Sequence, residues 1–249
     1  MLPEKYLEPS PMSDCDNAKL KRTATELAKG ADTPLEAALQ VFKYIRDDIA
    51  FNATLDIYLK ASEALKRETI DYCNKINIHV SLLRAIGIPA RYHTVRVKKE
   101  VLKHIVPGFL YSRLPSPVGH FWCECYVGGR WLGCEALYDK LFYEGMLKSG
   151  WVTKEQIPTI NWDGKSDLVL MKYWIVEDSN IYSYYEEIVN LAREEGIVIF
   201  RAILGHALFK VSISTLRTDH SIAEQYTQNQ IDVTTLKIYL FPNLLLLGK

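Results

Sequence analysis

The sequence predicts an α+β domain in which helices come first and an antiparallel strand pair follows. Three observations carry that expectation. Thr33-Pro34-Leu35-Glu36 is a helix start, followed by apolar residues at helical spacing. An apolar segment opens at Cys73 and is closed by Gly87 and Pro89. Two runs with strand character, 121–127 and 130–137, flank Gly128-Gly129, a dipeptide that supplies the positive φ angles of a two-residue hairpin turn.

Taken in order, residues 13–29 form a first amphipathic helix with Ser13 or Asp14 as cap, Asp16 in the first turn and Gly30 as stop. In the second helix Thr33 is the N-cap, Pro34 the first helical residue and Glu36 the closing member of a capping box. Leu35, Ala38, Leu39, Phe42, Ile45 and Ile49 then mark its apolar face. A short helix over 61–67 leads to Cys73. The next segment has two periodicities: Ile76, Ile78, Val80 and Leu82 alternate as in a buried strand, while Ile76, Val80, Leu83 and Ile86 fit a helix. Its length and the glycine stop decide for a buried helix, with Cys73 in the first turn. Residues 91–97 alternate and are rich in β-formers, so they read as a strand.

Residues 98–117 carry Pro107, Gly108, Pro115 and Pro117. They read as a long excursion, a lid or binding element with a short helix near 101–104. Beyond the hairpin, 161–164 is a turn, 173–176 a short strand, 182–195 a helix ending at Gly196, and 197–209 a further apolar segment. The last forty residues show no organising pattern.

No Pro/Gly/Ser-rich linker or charge block divides the 249 residues. The expected organisation is a core over 1–164 with a C-terminal extension over 165–249 packed on it as one domain. With 48% hydrophobic residues the chain can build a core. Thirty basic and thirty acidic side chains cancel, which removes the electrostatic case for nucleic acid or an anionic membrane. Met1-Leu2-Pro3-Glu4-Lys5 opens no apolar leader, and no apolar run approaches the length of a membrane span. Five cysteines are an odd number and fit reduced thiols, so the expected compartment is the cytoplasm.

The chemistry follows from the placement of three residues. A cysteine at a helix start meets backbone N–H groups and a dipole that favour a thiolate and can donate to an oxyanion. Gly128-Gly129 sets a register in which Val127 pairs with Arg130, Tyr126 with Trp131, Glu124 with Gly133 and Trp122 with Glu135. His120, Trp122 and Glu124 then share one face. Glu135 comes diagonally opposite His120, at about 7–8 Å between backbones, within reach of long side chains. Cys73, His120 and Glu135 are thus a candidate nucleophile, base and orienting acid.

Competing readings exist for several residues. Asp139 competes with Glu135 for the acid, and His79 reads as a packed or surface histidine rather than a second base. Cys123, Cys125 and Cys134 fall on the opposite hairpin face, with Cys123 facing Cys134. They read as core thiols ahead of a metal site or a redox disulfide, because Cys-x-Cys has no second matched pair of ligands. Trp122, Trp131, Tyr92, Tyr111 and Trp151 can line a pocket or fill the core.

The segment from Cys73 through Leu82-Leu83-Arg84-Ala85-Ile86-Gly87-Ile88-Pro89-Ala90-Arg91 leads to His120-Phe121-Trp122, Glu124, Tyr126, Gly129, Trp131 and an acid at 135. Together these resemble the core of the transglutaminase-like superfamily over residues 33–140. The resemblance implies a papain-like fold in which the cysteine helix packs on an antiparallel sheet carrying the histidine and the acid. It also implies thiol acyl chemistry: hydrolysis or transfer at amides and (thio)esters through an acyl-enzyme on Cys73, with no cofactor or metal. The implied partner is a peptide, amide or acyl small-molecule substrate.

Three positions depart from the family pattern. Glu135 stands for the usual Asp, Asp71 stands where a Gly is common, and Cys73 lies one residue closer to Gly-Ile-Pro-Ala-Arg. A one-residue change is absorbed by a tighter first turn near a helix terminus but misplaces the thiol in mid-helix. The alternative function is therefore a catalytically inactive binding module of the same fold.

Overall fold

Local signals fix the N-terminal helices. In the computed structural model, which describes residues 3–51, 59–67, 69–105, 108–112 and 114–194, the first helix is α1 (Ala18–Leu27). Its cap is Asn17, whose side chain accepts from the Lys19 N–H. The expected caps are used elsewhere: the Ser13 hydroxyl bonds to Asn77 and Tyr92, and Asp14 holds Ser62. Helix α2 (Pro34–Asp47) starts as its sequence demands, with Thr33 accepting from the Glu36 N–H. Glu36 turns back to the Asp32 N–H, one residue before the expected partner. Ile49 lies past the end of α2 and is still buried.

A two-residue strand β1 (Ala50–Phe51) pairs in parallel with β2 (Thr69–Ile70), and between them lies α3 (Ala61–Ala64), shorter than expected. Helix α4 (Tyr72–Ala85) follows, and it organises the domain. Gly87 has φ of +78°, a backbone conformation open to glycine at little cost, and closes the helix. Every residue from Cys73 to Arg84 is buried. Helices α1, α2 and α3 cover one side of α4, and the sheet covers the other. A helix buried all round has no polar stripe, which is why its sequence carries a strand-like alternation beside a helical one.

The sheet is antiparallel, in the order β5–β4–β3–β6, built from β3 (Ala90–Val97), β4 (Val118–Val127), β5 (Arg130–Gly133) and β6 (Ile175–Tyr182). Gly128 and Gly129 both have positive φ, and the pairs Val127–Arg130, Tyr126–Trp131 and Glu124–Gly133 have the register the turn dictates. The second hairpin strand is shorter than the expected 130–137. The regular ladder ends at Gly133: Cys134 keeps one backbone bond to Cys123 of β4 and bridges in parallel to Leu168, and the Glu135 N–H bonds to the Leu168 carbonyl. The expected Trp122–Glu135 pairing is therefore replaced by contact with a segment more than thirty residues later.

Within the excursion, a 3₁₀ turn covers Lys99–Leu102 and helix α5 covers Gly108–Tyr111. Helix α6 (Lys140–Lys148) follows the hairpin, and α7 (Tyr185–Glu194) packs beyond β6. The strand expected at 173–176 begins at Ile175 and runs to Tyr182, because Lys172–Trp174 forms a 3₁₀ turn. The expected apolar segment at 197–209 and the last forty residues lie outside the described residues. Among the described residues, no helix is long and apolar enough to cross a membrane.

Buried polar groups tie the N-terminal segment to this frame. Arg84 donates to the carbonyls of Glu8, Ala90 and Ser183, joining the end of α4 to the start of β3 and to two distant segments. Asn77 bonds to Met12, Ser13 and Tyr92 beneath the sheet.

Candidate active site

Asp71 is the N-cap of α4, so Cys73 is the second helical residue. The shortened spacing to Gly87 thus falls at a helix terminus, where the backbone can absorb it. Asp71 Oδ1 accepts from the N–H groups of Cys73 at 2.8 Å and Asn74 at 3.1 Å, and Asp71 Oδ2 accepts from the Asn74 side chain at 2.6 Å. The Cys73 N–H, expected to bind an oxyanion, is therefore engaged by its own capping residue. This corrects the sequence expectation, and the reason is local: Asp is a strong N-cap and replaces the smaller residue common at that position.

His120 lies on β4, and its ring stacks on Tyr72 with centroids 5.9 Å apart. Its Nε2 bonds to Glu135 Oε1 at 2.8 Å. Glu135 is 1% exposed, and its second oxygen accepts from the Leu170 N–H. Sequence reasoning placed the acid correctly beside the histidine but for a partly wrong reason, since the segment 168–170, not cross-strand pairing, holds the carboxylate. Asp139, the competing acid, instead caps α6 through the Phe142 N–H. With Nε2 directed at Glu135, the imidazole has Nδ1 for proton exchange.

Cys73 and His120 line the same cavity, of about 150 Å³. Its walls are mostly apolar: Val95 and Phe121 from the sheet, Tyr182 at the end of β6, and Tyr185, Ile188 and Val189 from α7. Among the described residues the 98–117 excursion contributes nothing to this lining; α7, the helix expected over 182–195, takes that place. The only signal for α7 was its own periodicity, which says nothing of where it docks. The five aromatics considered for a pocket are elsewhere. Tyr92 is in the buried Ser13–Asn77 network, Trp131 packs on Tyr6, and Trp151 stacks on His104 over a second, smaller cavity. Tyr111 contacts Lys99.

Trp122 stacks on His93 at 4.5 Å, and its buried indole N–H has no acceptor among the described residues. His93 bonds to Glu124 through Nδ1 at 2.7 Å and to Asp178 through Nε2 at 2.6 Å, while Arg91 holds the other Glu124 oxygen. Burial works against the charged form of His93, but the hydrogen bonds to Glu124 and Asp178 outweigh it and raise its pKa. Burial likewise opposes ionised Glu124, and the bonds from His93 and Arg91 overcome this and lower its pKa. The cluster pins β6 to the sheet.

The other side of β4 is different. Cys123 and Cys134 face one another as the register predicts, with the Cys134 N–H on the Cys123 carbonyl at 2.9 Å. His79 of α4 joins them, and its pKa is lowered to about 3 by burial, with the Lys75 charge adding to the effect. The five cysteines form no disulfide.

Residues 21–136 are similar to the model of the transglutaminase-like superfamily, within a mixed helix and antiparallel-sheet fold. A solved structure of a candidate cysteine protease from Cytophaga hutchinsonii is similar at 22% identity, with a TM-score of 0.42, over 53% of this chain. This chain covers 40% of that protein's length. No curated protein matches the sequence.

Proposed function

We propose that the protein is a cysteine-dependent hydrolase or acyltransferase acting on an amide or (thio)ester. The observation that carries this reading is the buried His120–Glu135 bond beside a cavity that also contains Cys73. Glu135 holds the imidazole with its proton on Nε2 and stabilises the imidazolium that forms. His120 Nδ1 takes the Cys73 proton, and the thiolate attacks the carbonyl carbon. The tetrahedral adduct collapses to a Cys73 thioester as His120 returns the proton to the leaving amine or alcohol. Water or an amine then deacylates the enzyme by the same proton path in reverse. The apolar walls supplied by Val95, Phe121 and α7 suit an apolar acyl or side-chain group next to the reacting carbonyl.

The test is the pH dependence of haloacetamide alkylation at each cysteine, resolved by peptide mass spectrometry. Cys73 is expected to react fast well below the ordinary thiol pKa of ~8.5 and to lose that advantage in His120→Ala. Cys73→Ala is expected to abolish thiol-dependent turnover of activated esters while leaving the fold intact. A Cys73 no faster than an ordinary thiol sinks the reading.

One observation favours the second reading, a binding module without turnover. The Asp71 carboxylate occupies the Cys73 N–H and places negative charge where a thiolate would form. An inert Cys73 together with retained binding of an acyl ligand in the cavity would support it.

A further inference from the structure

The helix that carries Cys73 also carries His79, and His79 meets chemistry unrelated to the cleft. A ring nitrogen of His79 and the sulfurs of Cys123 and Cys134 lie within 4.8 Å of one another, all three residues buried. His79 Nε2 is buried and has no hydrogen-bond partner among the described residues. Cys125, two residues along the same face of β4, is in thiol contact with Cys134. Cys134 Sγ is 3.3 Å from the Cys123 carbonyl oxygen, a weak hydrogen bond. An unpaired buried imidazole nitrogen is costly in a well-packed core, and three thiols are poor partners for it. They are good partners for a metal ion that it shares with them.

We propose that His79, Cys123, Cys125 and Cys134 form a structural zinc site that fastens helix α4 to strands β4 and β5. Three sulfurs and one imidazole are the donor set of closed, tetrahedral zinc sites, in which neighbouring ligand atoms stand about 3.5–3.8 Å apart given the usual metal–ligand lengths. The His79, Cys123 and Cys134 donor atoms already lie within 4.8 Å of one another, and rotation of the Cys125 side chain beside Cys134 completes the set. Ligation displaces one proton from each thiol: zinc(II) plus three thiols gives a zinc tris-thiolate and three protons, with no change of oxidation state. The tris-thiolate centre has one net negative charge. Lys75, buried one turn earlier on α4 and close enough to His79 to depress its basicity, has the charge that balances it. Because every ligand is buried, the ion enters as the chain folds. The sequence hid this site, since Cys-x-Cys and Cys134 lack a fourth ligand nearby and His79 lies more than forty residues upstream on another element.

The test is metal content of the full chain refolded in excess zinc and dialysed against buffer with a mild chelator. The expected result is one zinc per chain. Replacement by cobalt(II) should give thiolate-to-cobalt charge-transfer absorption and the intense visible bands of a tetrahedral centre. Cys134→Ala and His79→Phe, the latter filling its own space beside Phe42, should drop zinc to background, with folding followed by circular dichroism. Cys73→Ala and Cys15→Ala should keep the full complement, so the result is independent of whether Cys73 is catalytic. A wild type that folds in excess zinc yet retains none overturns the proposal. So does full zinc retention in both ligand variants, or zinc lost with Cys73→Ala, which would place the ion in the cleft. Should the ligand variants fail to fold, the wild-type stoichiometry and cobalt spectrum still decide.

Discussion

Alternate residues of one strand lead into two different environments. On one face of β4, His120 and Glu124 belong to acid–histidine pairs: Glu135 on His120, Glu124 and Asp178 on His93. On the other face Cys123 meets Cys134 and His79, and none of these three groups is a carboxylate. The difference teaches that a histidine's role here is set by what faces it. A carboxylate stabilises the imidazolium and suits proton transfer or an ion pair, whereas burial without an acid, with the Lys75 charge adding to it, keeps the His79 ring neutral and suits a metal.

The largest way to sharpen the contrast is to remove the acid from the first face. Glu135→Leu leaves His120 Nε2 without its partner and is expected to lower Cys73-dependent turnover of an activated ester by about 10²–10⁴-fold. Loss of a buried acid in the same variant need not touch zinc content, so metal analysis should be unchanged. An unaltered rate would remove Glu135 from the machinery.

Next in size is a change that strikes both faces through their common helix. Arg84→Leu strips a buried cation from the carbonyls of Glu8, Ala90 and Ser183 at the end of α4. The expected loss is about 3 kcal/mol in urea unfolding, from carbonyls left unsatisfied in the core. A loss under a few tenths would mean that water replaces the guanidinium.

The smallest effects are opposite pH slopes from the two kinds of histidine, read on metal-free protein. The pKa of His79 is lowered from 6.5 to about 3, so its contribution to stability is present above pH 6.5 and is lost as pH falls through that interval. His79→Phe should flatten this acid limb. The pKa of His93 is raised above 6.5, so its contribution is complete below 6.5 and is lost as pH rises through the raised value. His93→Gln should flatten the alkaline limb by less, because its Asp178 partner is mostly solvent-exposed. Slopes of the same sign in both variants would break the comparison.

Much of the fold was legible because its signals are local. The Thr33-Pro34 start, the Gly87-Ile88-Pro89 stop and the Gly128-Gly129 turn each act through neighbouring residues, and each appears where expected. The hairpin register as far as the Glu124–Gly133 pair follows from those two glycines. Errors lie where a distant segment competes with the local pattern. The strand expected through residue 137 stops at Gly133 because Leu168 takes the next backbone groups. Ser13 and Asp14 are drawn away from capping by Asn77, Tyr92 and Ser62.

By itself, then, the sequence determined that a cysteine stands at a helix start, that a histidine and an acid share a hairpin, and that three thiols share its other face. Caps, turns and strand alternation depend on a few adjacent residues, so they can be read without coordinates. Only the tertiary structure decided that Asp71 holds the Cys73 N–H, that Leu170 anchors Glu135, that α7 walls the cavity and that His79 joins the thiols. Which of the possible donors and surfaces meet is settled by packing between segments far apart in the chain.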